Sequence, residues 1–148
     1  AELRALLDTG DDELAEIIEI RLTREKSLAR TARRLGEELA ETVAEQLAQS
    51  TEPVVDAHWR ERDMGFLQRV AKTLADTAPD KGALLTSESE ADAVFVVFAG
   101  ADSGLDLDVV GPKIAEALGG RGGGRRPIFQ GKAESMRDRE QALEILRG

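Results

Sequence analysis

The run Ala93–Phe98, Ala-Val-Phe-Val-Val-Phe, constrains this chain more than any other feature. Successive side chains of a strand point to opposite faces, so a strand apolar at every position has no face to offer to water. Such a strand is expected to be buried on both sides. The rest of the sequence must therefore supply cover for two faces of a sheet. A chain of 148 residues is long enough to do so around one core.

The cover is legible as apolar periodicity. Leu3, Leu6 and Leu7 predict a short helix that stops at Gly10, and Asp11 or Asp12 can cap a second, much longer one. Leu14, Ile17, Ile18 and Leu22 form one stripe, which Leu28, Ala32, Leu35, Leu39, Val43 and Leu47 continue at spacings of three and four. A helix from Asp12 to Gln49 would be roughly 55 Å long and could not bury its whole stripe on one small domain. It is expected to pack against a second helix, its own or a partner's. Gly36 weakens it by about 1 kcal/mol relative to Ala.

Beyond Pro53 the pattern changes. Val54 to Trp59 reads as a strand, and Asp63 can cap a helix through Phe66, Leu67, Val70 and Leu74. Pro79, Asp80 and Gly82 make a turn before a short strand, Ala83–Thr86. After the Ala93–Phe98 strand, Val109, Val110, Ile114 and Leu118 mark a helix with Pro112 best placed in its first turn. Phe129–Ala133 is read as a last strand, and Ser135 as the cap of a final helix carrying Met136, Leu143 and Leu146. The predicted order is a long helix followed by β-α-β-β-α-β-α. This is an α/β (α+β layered) fold: a small mixed sheet with flanking helices, preceded by a long helical stalk. The expected division is a stalk over residues 1–50, for dimerisation or docking, and an α/β domain over residues 51–148.

Composition enters where it limits function. Hydrophobic residues make up 41% and charged residues 33%, as in soluble globular chains. No apolar run approaches a membrane span, and no basic-then-apolar leader suggests secretion, so a cytoplasmic location is expected. Cysteine is absent, which excludes disulfides and thiolate metal sites. The net charge of −9 is the wrong sign for a nucleic-acid binder as a whole, although a basic patch can sit on an acidic body.

Such a patch is present. Gly119, Gly120, Arg121, Gly122, Gly123, Gly124, Arg125, Arg126 and Pro127 place five glycines and three arginines in nine residues. From Gly119 to Lys132 there are four basic residues and no acidic one. Glycines let a ligand approach backbone N–H groups, successive N–H groups form anion-binding concavities, and arginine adds a planar fork of donors. One reading is a cradle for phosphate or an RNA backbone. The other is a mobile glycine-rich hairpin with solvated arginines. The segment is neither a P-loop nor a dinucleotide fingerprint, lacking a following Gly-Lys-Ser/Thr and a preceding strand.

The segment resembles the Gly-Gly-Lys-Gly-Gly-Gly motif of the DHH-associated domain. That domain stands at the C-terminus of alanyl-tRNA synthetases and of longer freestanding alanyl-tRNA editing proteins of the AlaX type. Arg121 takes the lysine position. Where the synthetases usually continue Ala-Gln-Gly, this chain has Phe129-Gln130-Gly131-Lys132-Ala133, a version closer to the eukaryotic freestanding editors. The resemblance spans roughly Val54 to Arg147. It implies binding of tRNA(Ala) through Gly119–Arg126, Gln130, Gly131 and Lys132. It also implies docking to an editing domain of the same protein, and a homodimer through the N-terminal helices. In the family, zinc held by His-x-x-x-His and Cys-x-x-x-His motifs in the separate editing domain performs the hydrolysis. Neither motif occurs here; His58 is the only histidine. No cofactor and no catalytic residue are therefore expected in this chain. The alternative is the dimerisation and tRNA-docking domain of an alanyl-tRNA synthetase. A DHH phosphoesterase would grip its substrate with Gly-Gly-Gly-His, but Arg125 follows the glycines here, and the metal-binding aspartates of the DHH half are missing.

Three further groups have ordinary structural readings. Trp59 beside His58 could stack a base, but core or core edge is the expected place for it. Asp102, Asp106 and Asp108 lack the pattern of a calcium loop and read as solvated groups and helix caps. Arg30, Arg33 and Arg34 could extend an RNA-binding face, but are expected to pair with Glu25, Glu37 and Glu38 along the helix.

Overall fold

The computed structural model describes residues 2–148, with side chains described from Ala15 onward. Helix α1 runs Glu2–Ala48. It is followed by β1 (Val54–Arg60), α2 (Met64–Thr77), β2 (Gly82–Glu88), β3 (Ala93–Ala99), α3 (Leu107–Ala117), β4 (Arg121–Arg125), β5 (Ile128–Ala133) and α4 (Arg139–Arg147). The five strands form one mixed sheet in the order β1-β2-β3-β5-β4, parallel only between β1 and β2. This is the mixed α/β architecture that the sequence pattern predicts, with one strand more.

Strand β3 lies at the centre and is buried at every residue. Its alternation divides the core. Phe95 and Val97 enter one layer, where Leu107 and Ile114 of α3 and Leu143 and Leu146 of α4 cover the sheet. Val94, Val96 and Phe98 enter the other, under Phe66, Leu67, Val70 and Leu74 of α2 and Ala40 and Ala44 of α1. Each large side chain so buried stabilises the fold by about 1.5–3 kcal/mol.

Backbone contacts divide the chain into two units, Ala1–Gly36 and Glu37–Gly148. In the first, Ile17, Ile18, Ile20, Leu22, Leu28 and Leu35 are exposed, Leu28 to 70%. In the second, the same stripe continues through Val43 and Leu47 into the core beside α2. No helix among the described residues is long and apolar enough to cross a membrane.

Several boundaries differ from expectation. The α1 backbone continues through Gly10, because one glycine costs a helix only about 1 kcal/mol. The side chains of Leu3, Leu6, Leu7, Asp11, Asp12 and Leu14 lie outside the described residues. Asp63 caps α2 as predicted, its Oδ1 accepting from Phe66 N–H at 2.9 Å. Asp106 caps α3, so that helix starts at Leu107 and Pro112 falls in its second turn instead of its first. Ser135 does not start α4. Met136 is buried and donates its N–H to Glu88 Oε2 at 3.0 Å, which holds the chain in a turn until Arg139.

One long-range polar clamp has no sequence signature. Lys81 is 5% exposed and donates from Nζ to the carbonyls of Ser50 and Glu52, at 2.5 and 2.6 Å. An ammonium thereby joins the end of α1 to the start of β2, near helix carbonyls that favour positive charge. Replacing it by the apolar near-isostere, Lys81→Met, keeps most of the packed stem and removes both bonds. A loss of about 1–3 kcal/mol in denaturant unfolding is expected, and an unchanged midpoint would show that the clamp adds nothing to stability.

Candidate nucleic-acid interface

The glycine-arginine segment is an edge strand and not a loop. β4 pairs antiparallel with β5, Arg121 opposite Lys132, Gly123 opposite Gln130 and Arg125 opposite Ile128. A three-glycine strand carries no β signal in sequence, since glycine is depleted in strands. Pairing with β5 creates it.

The glycines do separate jobs. Gly119, at φ +69°, ends α3. Its N–H donates to Glu116 O, and Gly120 N–H donates to Ala115 O, the paired bonds of a Schellman stop. A methyl group on Gly120, Gly122, Gly124 or Gly131 would lie 2.0–2.5 Å from a carbonyl oxygen of the facing strand. At Gly122 it would also stand 2.8 Å from the Phe129 ring, and a methyl group on Gly111 of α3 would stand 2.6 Å from the same ring. These four glycines let two backbones and one aromatic ring come together. Gly123 alone of Gly120–Gly124 has open space where its Cβ would be.

The arginines also part company. Arg126 leads a cis peptide into Pro127 and donates to Gly100 O and Leu105 O, both at 3.2 Å, so it clamps the β4–β5 turn to the segment before α3. Arg121 and Arg125 are exposed and form no ion pair among the described residues. Strand alternation puts them on one face with Gly123. Lys132, opposite Arg121, is 71% exposed and only loosely paired with Asp92 at 3.6 Å. Gln130 is half-buried, and its Oε1 accepts from Gln68 Nε2 of α2 at 2.7 Å. A shallow cleft of about 500 Å³ opens at the Arg121 end, between Gly119, Gly120, Gly131, Lys132, Ala133 and Glu134. Gln68 is the residue that sequence reasoning missed. Its only signal was a polar position one turn from Lys72 on an amphipathic helix.

The remaining candidates are placed elsewhere. Trp59 is partly buried against the α2 layer, edge-on to Phe66 at 5.1 Å, which places it at the core edge. Arg30, Arg33 and Arg34 are exposed, and none forms the expected ion pair among the described residues; the rotational freedom of a long side chain in water competes with weak surface pairs. Among the described residues, no three His, Cys, Asp or Glu side chains are grouped to hold a metal.

His58 belongs to a separate polar cluster on β1, β2 and α4. Arg139 is 14% exposed, donating from Nε to Thr86 Oγ1 at 2.8 Å and from a terminal nitrogen to Asp56 Oδ2 at 2.7 Å. His58 Nδ1 lies 2.8 Å from the same hydroxyl. Since Arg139 can only donate, the Thr86 hydrogen has two acceptors within reach, an unprotonated Nδ1 at 2.8 Å and Ala57 O at 3.4 Å. Partial burial, then the Arg139 charge, lower the His58 pKa below its ordinary 6.5. The unfolded chain then binds the proton more readily. Stability from this group is complete above pH 6.5 and falls as pH drops through the folded-state value. The exposed ring keeps the effect small. Unfolding midpoints measured from pH 7.5 downward should therefore fall, and His58→Asn should flatten that slope; an identical slope would exclude His58 as its source.

No protein-family model matches the chain. It is 30% identical over 146 residues to the alanyl-tRNA editing protein Aarsd1 of Mus musculus, and 29% identical over 146 residues to that of Rattus norvegicus. Each match covers 97% of this chain and 34% of the relative, so the chain spans about a third of the length of the curated relatives it matches. Its fold is similar to the C-Ala domain of Aquifex aeolicus alanyl-tRNA synthetase, with a TM-score of 0.57 at 21% identity, over 64% of this chain and 91% of that one. The chain is thus homologous to part of an alanyl-tRNA editing protein and shares its fold with a synthetase domain.

Proposed function

We propose that this chain is the tRNA(Ala)-binding accessory domain of an alanyl-tRNA editing protein of the AlaX type, and that β4 and β5 form its RNA-binding surface. The observation that carries the reading is the match to the editing proteins along 97% of the chain. The basic strand on an acidic body supports it physically, because phosphate contacts dominate affinity for RNA. In this reading the chain is the DHH-associated module. It holds the tRNA, and zinc-dependent hydrolysis of the misacylated ester belongs to an editing domain with its own histidine and cysteine ligands. The alternative, the C-terminal tRNA-docking domain of a synthetase, fits the same fold.

The test is binding of tRNA(Ala) and of a non-cognate tRNA over a salt series. Cognate preference with a steep salt slope is expected. Arg121→Ala with Arg125→Ala should weaken binding and reduce the logarithmic slope by about 0.7–0.9 for each phosphate that is no longer neutralised. Absence of binding at low salt would overturn the reading.

A second role, homodimerisation through α1, is favoured by the exposed Ile17, Ile18, Ile20, Leu22, Leu28 and Leu35. A helix surface this apolar is expected to seek a partner. Sedimentation at two concentrations should give a dimer that Ile18→Glu with Leu22→Glu dissociates. A concentration-independent monomer would remove the role.

A further inference from the structure

The sheet is covered unevenly. On the α2 side, α2 packs on β2 and β3 and leaves β4 and the outer part of β5 open. Alternation and register place Arg121, Gly123 and Arg125 beside Lys132, Gln130 and Ile128 on this face. Ile128 is packed into the α2-side core and Gln130 bonds to α2, which identifies the face independently. Lys72, exposed one turn beyond Gln68, shares that residue's face of α2.

The floor of this strip has a chemical pattern. Gln68 and Gln130 share one hydrogen bond, amide nitrogen to amide oxygen. Each amide has a second function, so the pair retains an NH2 donor on one residue and a carbonyl acceptor on the other. Flipping both amides exchanges the residues and preserves the pattern. Gly123, directly opposite Gln130, has no side chain to cover it. Cations therefore flank an uncovered donor–acceptor pair. The strip has no aromatic platform for stacking bases.

We propose that this open strip, and not a cradle of glycine N–H groups, receives the RNA, and that the Gln68–Gln130 pair distinguishes RNA from DNA by hydrogen bonding to a ribose 2′-hydroxyl. A 2′-hydroxyl is both donor and acceptor, which matches the pair; a deoxyribose leaves both amide groups unanswered. Arg121 and Arg125, with Lys132 and Lys72, supply charge complementarity to the phosphates without reading the sugar. The assignment rests on the RNA-binding reading above and names the chemistry of that surface.

The experiment compares a tRNA(Ala) transcript with DNA of the same sequence, on the wild-type chain, Gln130→Leu, Gln68→Leu and Gly123→Val. Circular dichroism melts confirm folding; Gly123→Val alters neither charge nor glutamine and projects into open space. Wild-type protein should prefer RNA. Each variant should lose about tenfold of that preference while keeping the salt slope. Arg121→Ala with Arg125→Ala should weaken RNA and DNA alike. Tight RNA binding with an RNA-to-DNA ratio unchanged in all three variants would overturn the assignment and leave the RNA-binding role standing. Failure of the wild-type chain to bind either polymer would overturn both.

Discussion

The two-sided burial of β3 is the constraint on which the rest of the structure depends. A strand of Ala-Val-Phe-Val-Val-Phe-Ala tolerates no contact with water on either face. The chain must supply two layers, and it does so with α3 and α4 on one side, and α2 with the end of α1 on the other. Because β3 is central, β1 and β4 become the sheet edges. Its layers are not equally wide. The α2 layer ends at Gln68, so β4 and the outer part of β5 remain open on that side. The surface available to a ligand follows from how far the core cover extends.

The glycine cluster shows how one composition serves several physical demands. Gly119 and Gly120 stop a helix; Gly120, Gly122, Gly124 and Gly131 permit close strand approach; Gly122 and Gly111 make the slot for Phe129. Within the cluster only Gly123 has no such duty. The flexibility usually ascribed to glycine is mostly spent on packing here. Charge is apportioned in the same way. Arg126 is drawn into carbonyl contacts at the turn, whereas Arg121 and Arg125 stay in water on one face.

The cluster around Arg139 has a comparable logic at the opposite edge. Thr86 is fully buried and polar, and it serves both the guanidinium and His58. With Asp56 it ties α4 to β1 and β2 across 83 residues of sequence. Among the described residues, every side-chain polar atom buried in this way finds a partner, as close-packed interiors require.

Much of this fold is legible in local pattern. The apolar run predicts β3, Asp63 predicts the start of α2, and spacings of three and four predict α1, because these signals act within one turn or one strand. The basic excess between Gly119 and Lys132 is equally visible. What only the tertiary structure decided is long-range. Glycines 122–124 become a strand because β5 lies beside them, Met136 stays out of α4 because Glu88 holds its N–H, and Lys81 reaches carbonyls some thirty residues away. Gln68 and Gln130 meet across 62 residues for the same reason. Pairing and burial depend on which surfaces the core brings together, and no local preference encodes that choice.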